Sequence, residues 1–394
     1  MIVLELLLVL ASVPVLGCSG YLGTLAFLSI LPRTRVSRPD SPRTRFDIIV
    51  PAHDEEAGIG STLESLGRLE YPRGLYRVVV VADNCSDNTA NKARSLGATV
   101  IERCDPTRIG KGHALAFAFR GRTSADAFVV VDADSVVSSN LLTTLDARIQ
   151  NGARAVQVRY VVRNPFASWR TRLMHLAFVL FHDVRSLGRA RLGLSNGLRG
   201  NGMALHKAAL LRVPYGAYSI VEDIEYGIEL ARAGVSVEYA HEATVAGEMA
   251  THSAASRDQR LRWESGRAAL GELLARPLLA EGFRLVDPTR VDLAIDLLIP
   301  PLSTIASMLG AGVTAACWLA FATGQVGLAV APWFVATGLL GLYLVRGIQL
   351  SGRGLSALAD LAWVPVYLGW KLLCRAFERP PRGWVRTARE GERR

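Results

Sequence analysis

Strand-like apolar runs alternate with helix-like segments over much of the chain, and this alternation constrains the fold more than any other sequence feature. The runs with the length and β-branched composition of strands lie at 47–50, 76–82, 98–102, 128–131, 154–162 and 236–245. Segments with helical spacing of apolar residues lie at 58–69, 87–96, 111–120 and 140–150. Strands alternating with helices through short connections predict a doubly wound, mainly parallel α/β sheet.

Long apolar segments flank this alternation at both ends of the chain. Residues 1–31 carry only one charge, Glu5, and are long enough to cross a bilayer, which predicts a retained transmembrane anchor. A C-terminal membrane region is expected at 283–377. In it, two apolar stretches predict a helical hairpin at about 293–345, and the interrupted stretch at 355–377 is expected to be interfacial or re-entrant.

Arginines set the predicted topology. They occur in the linker at 32–45 (Arg33, Arg35, Arg38, Arg43 and Arg45) and in a strongly basic tail at 378–394. The positive-inside rule places both segments, and the domain at 46–275, in the cytoplasm. The net charge of +10 suits a lipid bilayer surface and a nucleotide diphosphate; without a basic stripe interleaved with aromatic residues, no nucleic acid is expected. Only four of 45 basic residues are lysine, a bias of GC-rich genomes, so a multi-pass bacterial plasma-membrane protein is expected.

A basic and apolar segment at 169–192 has two interpretations. Its arginines and broad apolar set fit an amphipathic helix lying on the membrane surface. They fit equally well a helix that packs against the central domain.

Two carboxylates end the apolar run at 128–131. Side chains alternate along a strand, so Asp132 and Asp134 can point the same way off its end. Ligands of α/β sheets bind beyond the carboxyl ends of the strands, and hard oxygen ligands suit Mg²⁺ or Mn²⁺. A solvated turn explains Asp-Ala-Asp alone equally well.

Other polar clusters lie near the same predicted edge. The segments at 51–56 and 82–89 follow two other strands, where they either face one ligand or cap helices. Gly110, Lys111 and Gly112 open a helix and can bring backbone N–H groups and a cation to a phosphate. Further along, Glu222 and Asp223 open a helix, and a Gln-Arg-Leu-Arg-Trp run occupies 259–263.

Together these motifs resemble the family 2 glycosyltransferases of GT-A fold over residues 46–275, and the later motifs resemble cellulose, chitin and hyaluronan synthases. In those enzymes Thr usually precedes the acidic pair, where this chain has Val221, and the second motif reads Gln-x-x-Arg-Trp. The stretch at 195–205 occupies the position of a glycine-rich acceptor loop, without the usual Thr-Asn order.

The resemblance implies a role for each matching residue. Those implied to bind the donor are Pro51, Ala52, His53, Glu55, Asp83, Lys111, Asp132 and Arg262; those implied to bind the acceptor are Glu222, Gln259 and Trp263. Asp134, with Asp132 near it, would hold Mg²⁺ or Mn²⁺ beside the diphosphate. Asp223 would be the general base, kept ionised by its helix N-terminus.

The implied activity is inverting sugar transfer from a nucleoside diphosphate sugar, with a UDP-sugar expected, to a growing polysaccharide or other glycan. One anchor and one hairpin leave little material for a channel unless partner subunits or further copies of the chain contribute. Transfer of one sugar to a lipid is therefore an alternative, because ceramide glucosyltransferases resemble the same Arg-Trp motif. A membrane scaffold that binds a nucleotide sugar without catalysis is the alternative of a different class.

Overall fold

The computed structural model describes residues 2–32, 36–37, 39–121, 123–251, 253–325 and 327–377, with only the backbone described at 253–256, 258 and 372–377. The basic tail predicted at 378–394 and three linker arginines (Arg33, Arg35 and Arg38) lie outside the described residues.

An eight-stranded mixed sheet forms the centre of the domain. Its strands are β1 (Phe46–Ala52), β2 (Tyr76–Asp83), β3 (Thr99–Arg103), β4 (Ala127–Val130), β5 (Val136–Val137), β6 (Ala155–Val162), β7 (Met203–His206) and β8 (Val237–Gly247). The strand order is β3-β2-β1-β4-β7-β6-β8-β5. The first four strands in this order are parallel, and β7 runs antiparallel to both of its neighbours. The α/β class predicted from the sequence is confirmed.

Helices cover both faces of the sheet. They are α2 (Ile59–Gly67), α3 (Thr89–Ser95), α4 (Lys111–Phe119), α5 (Leu141–Gln150), α8 (Lys207–Arg212) and α9 (Glu222–Arg232). One apolar core, which includes Ile48, Val129 and Leu141, fills one side of the sheet, and a second, which includes Ile49 and Leu115, fills the other. Strands buried on both faces explain the continuous β-branched runs of the sequence.

Strand register brings the predicted site residues to one edge. In the parallel sheet, Ala52 pairs with Ala82, and Ile49 pairs with Val130. The segments that follow β1, β2 and β4 therefore leave the sheet side by side.

Three helices are long and apolar enough to cross a membrane within the described part of the chain: α1 (Ile2–Leu28), α12 (Leu302–Thr323) and α13 (Val330–Leu350). They pack together in one apolar cluster. The expected start of the hairpin near residue 293 is wrong. Residues 293–298 belong to a separate helix, α11 (Pro288–Leu298), because Pro300 and Pro301 interrupt the chain before α12.

The segment at 169–192 packs between the sheet and the long apolar helices, in agreement with its interpretation as a packing helix, while a position at the membrane surface stays a prediction. It comprises α6 (Trp169–Phe178), a π-helical turn (Val179–Val184) and α7 (Arg185–Arg191). Arg185 and Arg189 are buried and form ion pairs with Asp296 at 3.0 and 2.7 Å. Because burying an arginine requires a partner charge, these ion pairs hold the segment against α11, as expected of a packing helix.

The last helices are attached to the central domain through α10 (Ser253–Leu285). They are α14 (Ser356–Leu361) and α15 (Val364–Phe377). Lys371 on α15 forms an ion pair with Glu264 at 2.6 Å, and Arg260 donates a hydrogen bond to Tyr367. This segment therefore closes one side of the domain; its interfacial position in a membrane stays a prediction.

Candidate active site

One large cavity of about 1130 Å³ lies at the carboxyl edge of β1, β2 and β4. Every residue predicted for the site lines it: Pro51, Ala52, His53, Glu55, Asp83, Lys111, Asp132, Asp134, Glu222, Asp223, Gln259, Arg262 and Trp263. Four separate sequence motifs therefore meet in one place, together with the residues after β1 and β2.

At one end of the cavity, hydrogen bonds connect the residues after β1 with those after β2. His53 Nδ1 lies 2.7 Å from the backbone oxygen of Asp83, and because a carbonyl only accepts, Nδ1 carries the proton. The backbone N–H of Glu55 donates to Thr89 Oγ1 at 2.8 Å. The buried carboxylate of Asp83 forms an ion pair with Arg103. Arg103, on β3, was not predicted from the sequence.

Lys111 joins the acidic residues at the centre of the cavity. Its Nζ lies 2.5 Å from Asp132 Oδ1, 2.6 Å from the backbone oxygen of Gly200, and 3.9 Å from Glu222 Oε1. Burial alone would lower the pKa of Lys111, but the carboxylates of Asp132, Glu222 and Asp223 outweigh burial and raise it. Lys111 is therefore a permanent cation at this position.

A side-chain network holds the Asp132–Ser135 turn. Asn201 Oδ1 accepts a hydrogen bond from the Asp132 backbone at 3.2 Å, and Asn201 Nδ2 donates to Ser135 Oγ at 2.8 Å. Ser135 Oγ in turn donates to Asp134 Oδ1 at 3.0 Å. The loop before β7 therefore orients the acidic turn after β4.

Asp132 and Asp134 fit a divalent cation by their chemistry. They supply hard carboxylate oxygens at the end of a rigid strand, and both line the cavity where phosphate oxygens would complete a coordination shell. A second acidic group, formed by Asp54, Cys85 and Asp87, lies nearby. Its carboxylates accept hydrogen bonds from the backbone of Ser86 and Glu56, so they organise the loops of the site instead.

Burial dominates the titration of the acidic pair that opens α9. It raises the pKa of Glu222 to about 8, with Lys111 opposing and Asp223 adding to the shift. Burial also raises the pKa of Asp223, although Lys111, the first-turn N–H groups and Arg199 oppose it. The N–H groups at the start of α9 favour the ionised form of Asp223, as expected, but burial outweighs them in the direction of the pKa shift. A raised pKa makes Asp223 a stronger base than an ordinary aspartate.

The other end of the cavity is mostly apolar and built from helices. Gln259, Arg262 and Trp263 enter it from α10, and the Trp263 ring lies 6.1 Å from that of Phe178. Beyond them the wall is aliphatic and aromatic. It is formed by Leu173, Leu176, Leu180 and Phe181, by Leu302 and Ala306 of α12, by Leu340 and Leu344 of α13, and by Val364 and Leu368 of α15. The cavity thus runs from the sheet edge to the long apolar helices α12 and α13.

The loop before β7 contributes more than the sequence predicted. Besides Asn201, it provides the Gly200 carbonyl to Lys111 and brings Arg199 to the cavity wall. A side chain at Gly202, which has a φ of +68°, would clash with Val158 and Val245. The glycine-rich composition of this loop was the available signal. Strand β7 was missed because four residues are too few to show a period.

Comparisons with known proteins agree with this geometry. A model of the family "Glycosyltransferase like family 2" matches residues 42–266. A β-monoglucosyldiacylglycerol synthase of Trichormus variabilis is 28% identical over 266 residues, which are 65% of this chain and 56% of that enzyme. The probable glycosyltransferase YdaM of Bacillus subtilis is 24% identical over 68% of this chain and 64% of its own length. The chain thus covers less than two thirds of these relatives.

The similarity to a solved structure covers more of the chain than the family model does. The mannosyltransferase PcManGT of Pyrobaculum calidifontis, determined in complex with GDP-Man and Mn²⁺, superposes on 89% of this chain and 99% of its own, with a TM-score of 0.59. At 19% identity this similarity supports the fold alone, which is the expected GT-A arrangement. Because the family model matches more than half of the chain, this protein belongs to glycosyltransferase family 2.

Proposed function

We propose that this protein transfers a single sugar from a nucleoside diphosphate sugar, such as a UDP-sugar, to a hydroxyl group of a membrane lipid. The observation that carries the proposal is the continuity of the cavity. Its polar end contains Asp132, Lys111 and Asp223, and its other end is walled by Leu340 and Leu344 of a helix able to cross a membrane. An acyl chain can lie against this wall while the headgroup reaches the acidic residues.

Asp223 is the proposed general base. It lies in the cavity at the start of α9, next to Lys111 and the Gly200 backbone. Its raised pKa increases its ability to take the proton of the acceptor hydroxyl as the oxygen attacks the anomeric carbon. Attack from the face opposite the leaving diphosphate inverts the configuration and needs only this carboxylate.

Lys111 and Arg262 are proposed to stabilise the leaving diphosphate with positive charge. Asp132 and Asp134 would hold the divalent cation, Mg²⁺ or Mn²⁺, which when bound neutralises the diphosphate further. Lys111 exchanges its contact with Asp132 for a phosphate contact in this proposal, while its Gly200 contact keeps the amine in place.

We further infer that α1, α12 and α13 cross the membrane and that the domain faces the cytoplasm, where nucleotide sugars are made. Arg346, near the end of α13, donates a hydrogen bond to Ser29 just after α1 at 2.8 Å, so both ends lie at the same level. Arg43 and Arg45 of the linker come after this end of α1, and by the positive-inside rule they place it on the cytoplasmic side.

The proposal favours a lipid over a growing polysaccharide, the acceptor that the synthase-like motifs first suggested. A sugar polymer needs a continuous passage of polar groups or exposed aromatic faces. Leucine is the most frequent residue in the wall beyond Trp263, although Tyr367 and Trp370 also line it, and this aliphatic share favours an acyl chain. The relative named as a β-monoglucosyldiacylglycerol synthase supports a lipid acceptor as well.

The test is to identify the product. The full chain is purified in a neutral detergent, supplied with Mn²⁺, a membrane-lipid extract and a panel of UDP-sugars, and UDP release is measured. Products are then separated by solvent extraction and weighed by mass spectrometry. The proposal expects one sugar added to a chloroform-soluble lipid. A water-soluble ladder of sugar polymers would overturn it in favour of a polysaccharide synthase, and donor binding without turnover of any acceptor would favour the scaffold.

A further inference from the structure

Arginine side chains are concentrated where the polar and apolar parts of the cavity meet. Phe181, on the π-helical turn, is surrounded by three guanidinium groups. The guanidinium carbons (Cζ) of Arg199, Arg185 and Arg267 lie 4.4, 4.8 and 5.3 Å from the centre of the Phe181 ring. Arg199 and Arg267 line the cavity, together with Phe181 itself.

The charges in this cluster do not balance. Four arginines (Arg185, Arg189, Arg199 and Arg267) surround two aspartates, Asp292 and Asp296. The single carboxylate of Asp296 forms three ion pairs, with Arg185, Arg189 and Arg267. Within this cluster four cations face two anions, and Asp223 is a further carboxylate that Arg199 influences. An excess of positive charge in a partly buried place is unfavourable unless an anion joins it.

Arg199 is the member that lacks a partner. Its guanidinium group makes neither a hydrogen bond nor an ion pair with any residue that the structure describes, and its Nε and Nη2 are enclosed. Arg267 Nη1 is likewise enclosed without a hydrogen-bond partner among the described residues. Burial lowers the pKa of Arg199 to about 10; Asp296 opposes this shift, and the neighbouring arginines add to it. An enclosed guanidinium group with unused N–H donors is able to bind an anionic ligand.

The position of Arg199 indicates which substrate supplies that anion. Lys111 and the acidic turn after β4 already occupy the donor side of Asp223. Arg199 lies against the ring of Phe181, and both residues line the same cavity as Leu180 and Leu340 of its apolar wall. An anion bound here would belong to a molecule whose apolar part extends toward the membrane helices.

Building on the proposed transfer to a lipid, we propose that the acceptor carries an anionic group, a phosphate or a carboxylate, which binds between the guanidinium groups of Arg199 and Arg267. The anion would hold the headgroup so that a neighbouring hydroxyl reaches Asp223. Guanidinium groups recognise both anions through paired N–H donors.

Lipid binding without donor tests this inference directly. The full chain in neutral detergent is titrated with dioleoylglycerol, dioleoylphosphatidic acid, oleic acid and, separately, UDP, and binding is followed by native mass spectrometry. Wild-type protein is expected to bind at least one anionic probe about tenfold to a hundredfold more tightly than dioleoylglycerol. The probe that gains affinity tells whether the site takes a phosphate or a carboxylate.

Substitutions distinguish anion binding by Arg199 and Arg267 from nonspecific binding of lipids to the protein. Arg199→Gln and Arg267→Gln should each remove most of the preference for the anionic probe and leave UDP affinity unchanged. Arg199→Lys keeps the positive charge and should retain part of the preference for the anionic probe, which would show that the loss in Arg199→Gln does not come from misfolding. The matched control is Arg148→Gln, because Arg148 forms ion pairs with Glu238 and Glu242 outside the cavity.

Three results would overturn the inference: equal binding of neutral and anionic probes, an anionic preference that survives both substitutions, or a loss of UDP affinity in place of lipid affinity. None of them requires turnover. A neutral lipid that accepts sugar without any anionic preference would end this inference and leave the proposed function standing. A polymeric product would end the proposed function regardless of the binding result.

Discussion

The two ends of the cavity are built in different ways. At the donor end, the functional side chains, apart from Arg262 of α10, follow a strand of the sheet or open a helix next to it. Several charges there are paired, as in Asp83 with Arg103 and Asp132 with Lys111. At the acceptor end, the wall comes from helices far apart in the chain, and the Arg199 guanidinium is unpaired among the described residues. A rigid sheet edge suits a ligand common to the whole family, whereas a helical wall can change with the acceptor.

The largest effect is expected from Asp223→Asn, where donor and acceptor meet. Loss of the general base should lower kcat by about 10²- to 10⁴-fold while UDP affinity changes little. The matched control is Glu229→Gln, because Glu229 lies on the same helix but half-exposed and outside the cavity. UDP release and sugar transfer to the lipid are measured for both variants. Turnover by Asp223→Asn at the wild-type rate would remove Asp223 from the role of base.

The donor end should respond strongly to Lys111→Gln. Removing this cation takes positive charge from the leaving diphosphate and leaves Asp132 and Glu222 without their counter-ion, so kcat should fall about a hundredfold. Lys92→Gln serves as the control, since Lys92 Nζ donates a hydrogen bond to the Glu56 backbone oxygen and Lys92 is not among the residues that line the cavity. Initial rates and UDP affinity are measured together. If only the KM for the lipid changed, Lys111 would belong to the acceptor end.

Glu222 predicts how stability depends on pH. Its pKa is about 8 in the folded protein against an ordinary value of 4.5, so between these values the folded state binds a proton that the unfolded state has lost. Stability contributed by this group is therefore fully present below pH 4.5 and is lost as pH rises through 8, by at most about 1.4 kcal/mol per pH unit. Glu222→Gln should flatten the dependence of Tm on pH in this window. An unchanged profile would mean that Glu222 ionises as an exposed glutamate does.

The smallest effect is expected at the apolar wall. Leu344→Ala removes apolar surface in the cavity that a lipid chain would cover, which weakens lipid binding by about 1 kcal/mol. The KM for the lipid should therefore rise about fivefold while the KM for the donor is unchanged. Val345→Ala, on the exposed side of α13, is the matched control. Equal effects of the two substitutions would show that the wall does not bind the acceptor.

The sequence predicted the donor end well for a physical reason. Strand periodicity and the rule that ligands bind beyond strand ends convert local motifs such as Asp132-Ala133-Asp134 into positions in space. The helix that Asp223 opens was also predicted, but the direction of its pKa shift was not, because burial depends on elements distant in sequence.

The acceptor end could not be predicted in the same way. Arg185 and Arg189 have the spacing of a surface helix, and only the buried Asp292 and Asp296, more than 100 residues later, convert them into a packed core. Nor does the sequence show that Leu302 and Leu344 share a wall with Trp263. Contacts between distant helices leave no short motif.

One measurement tests the central claim, that a single cavity joins the donor site to the membrane helices. Dioleoylglycerol and dioleoylphosphatidic acid probes, each with a photoreactive group in an acyl chain, are separately cross-linked to the full chain in detergent, and the modified peptides are identified by mass spectrometry. The account predicts cross-links to Leu340 and Leu344 of α13, reduced when excess unlabelled lipid is added, and loss of sugar transfer in the cross-linked protein. Cross-links confined to the exposed outer faces of α1 and α12, with transfer unaffected, would contradict it.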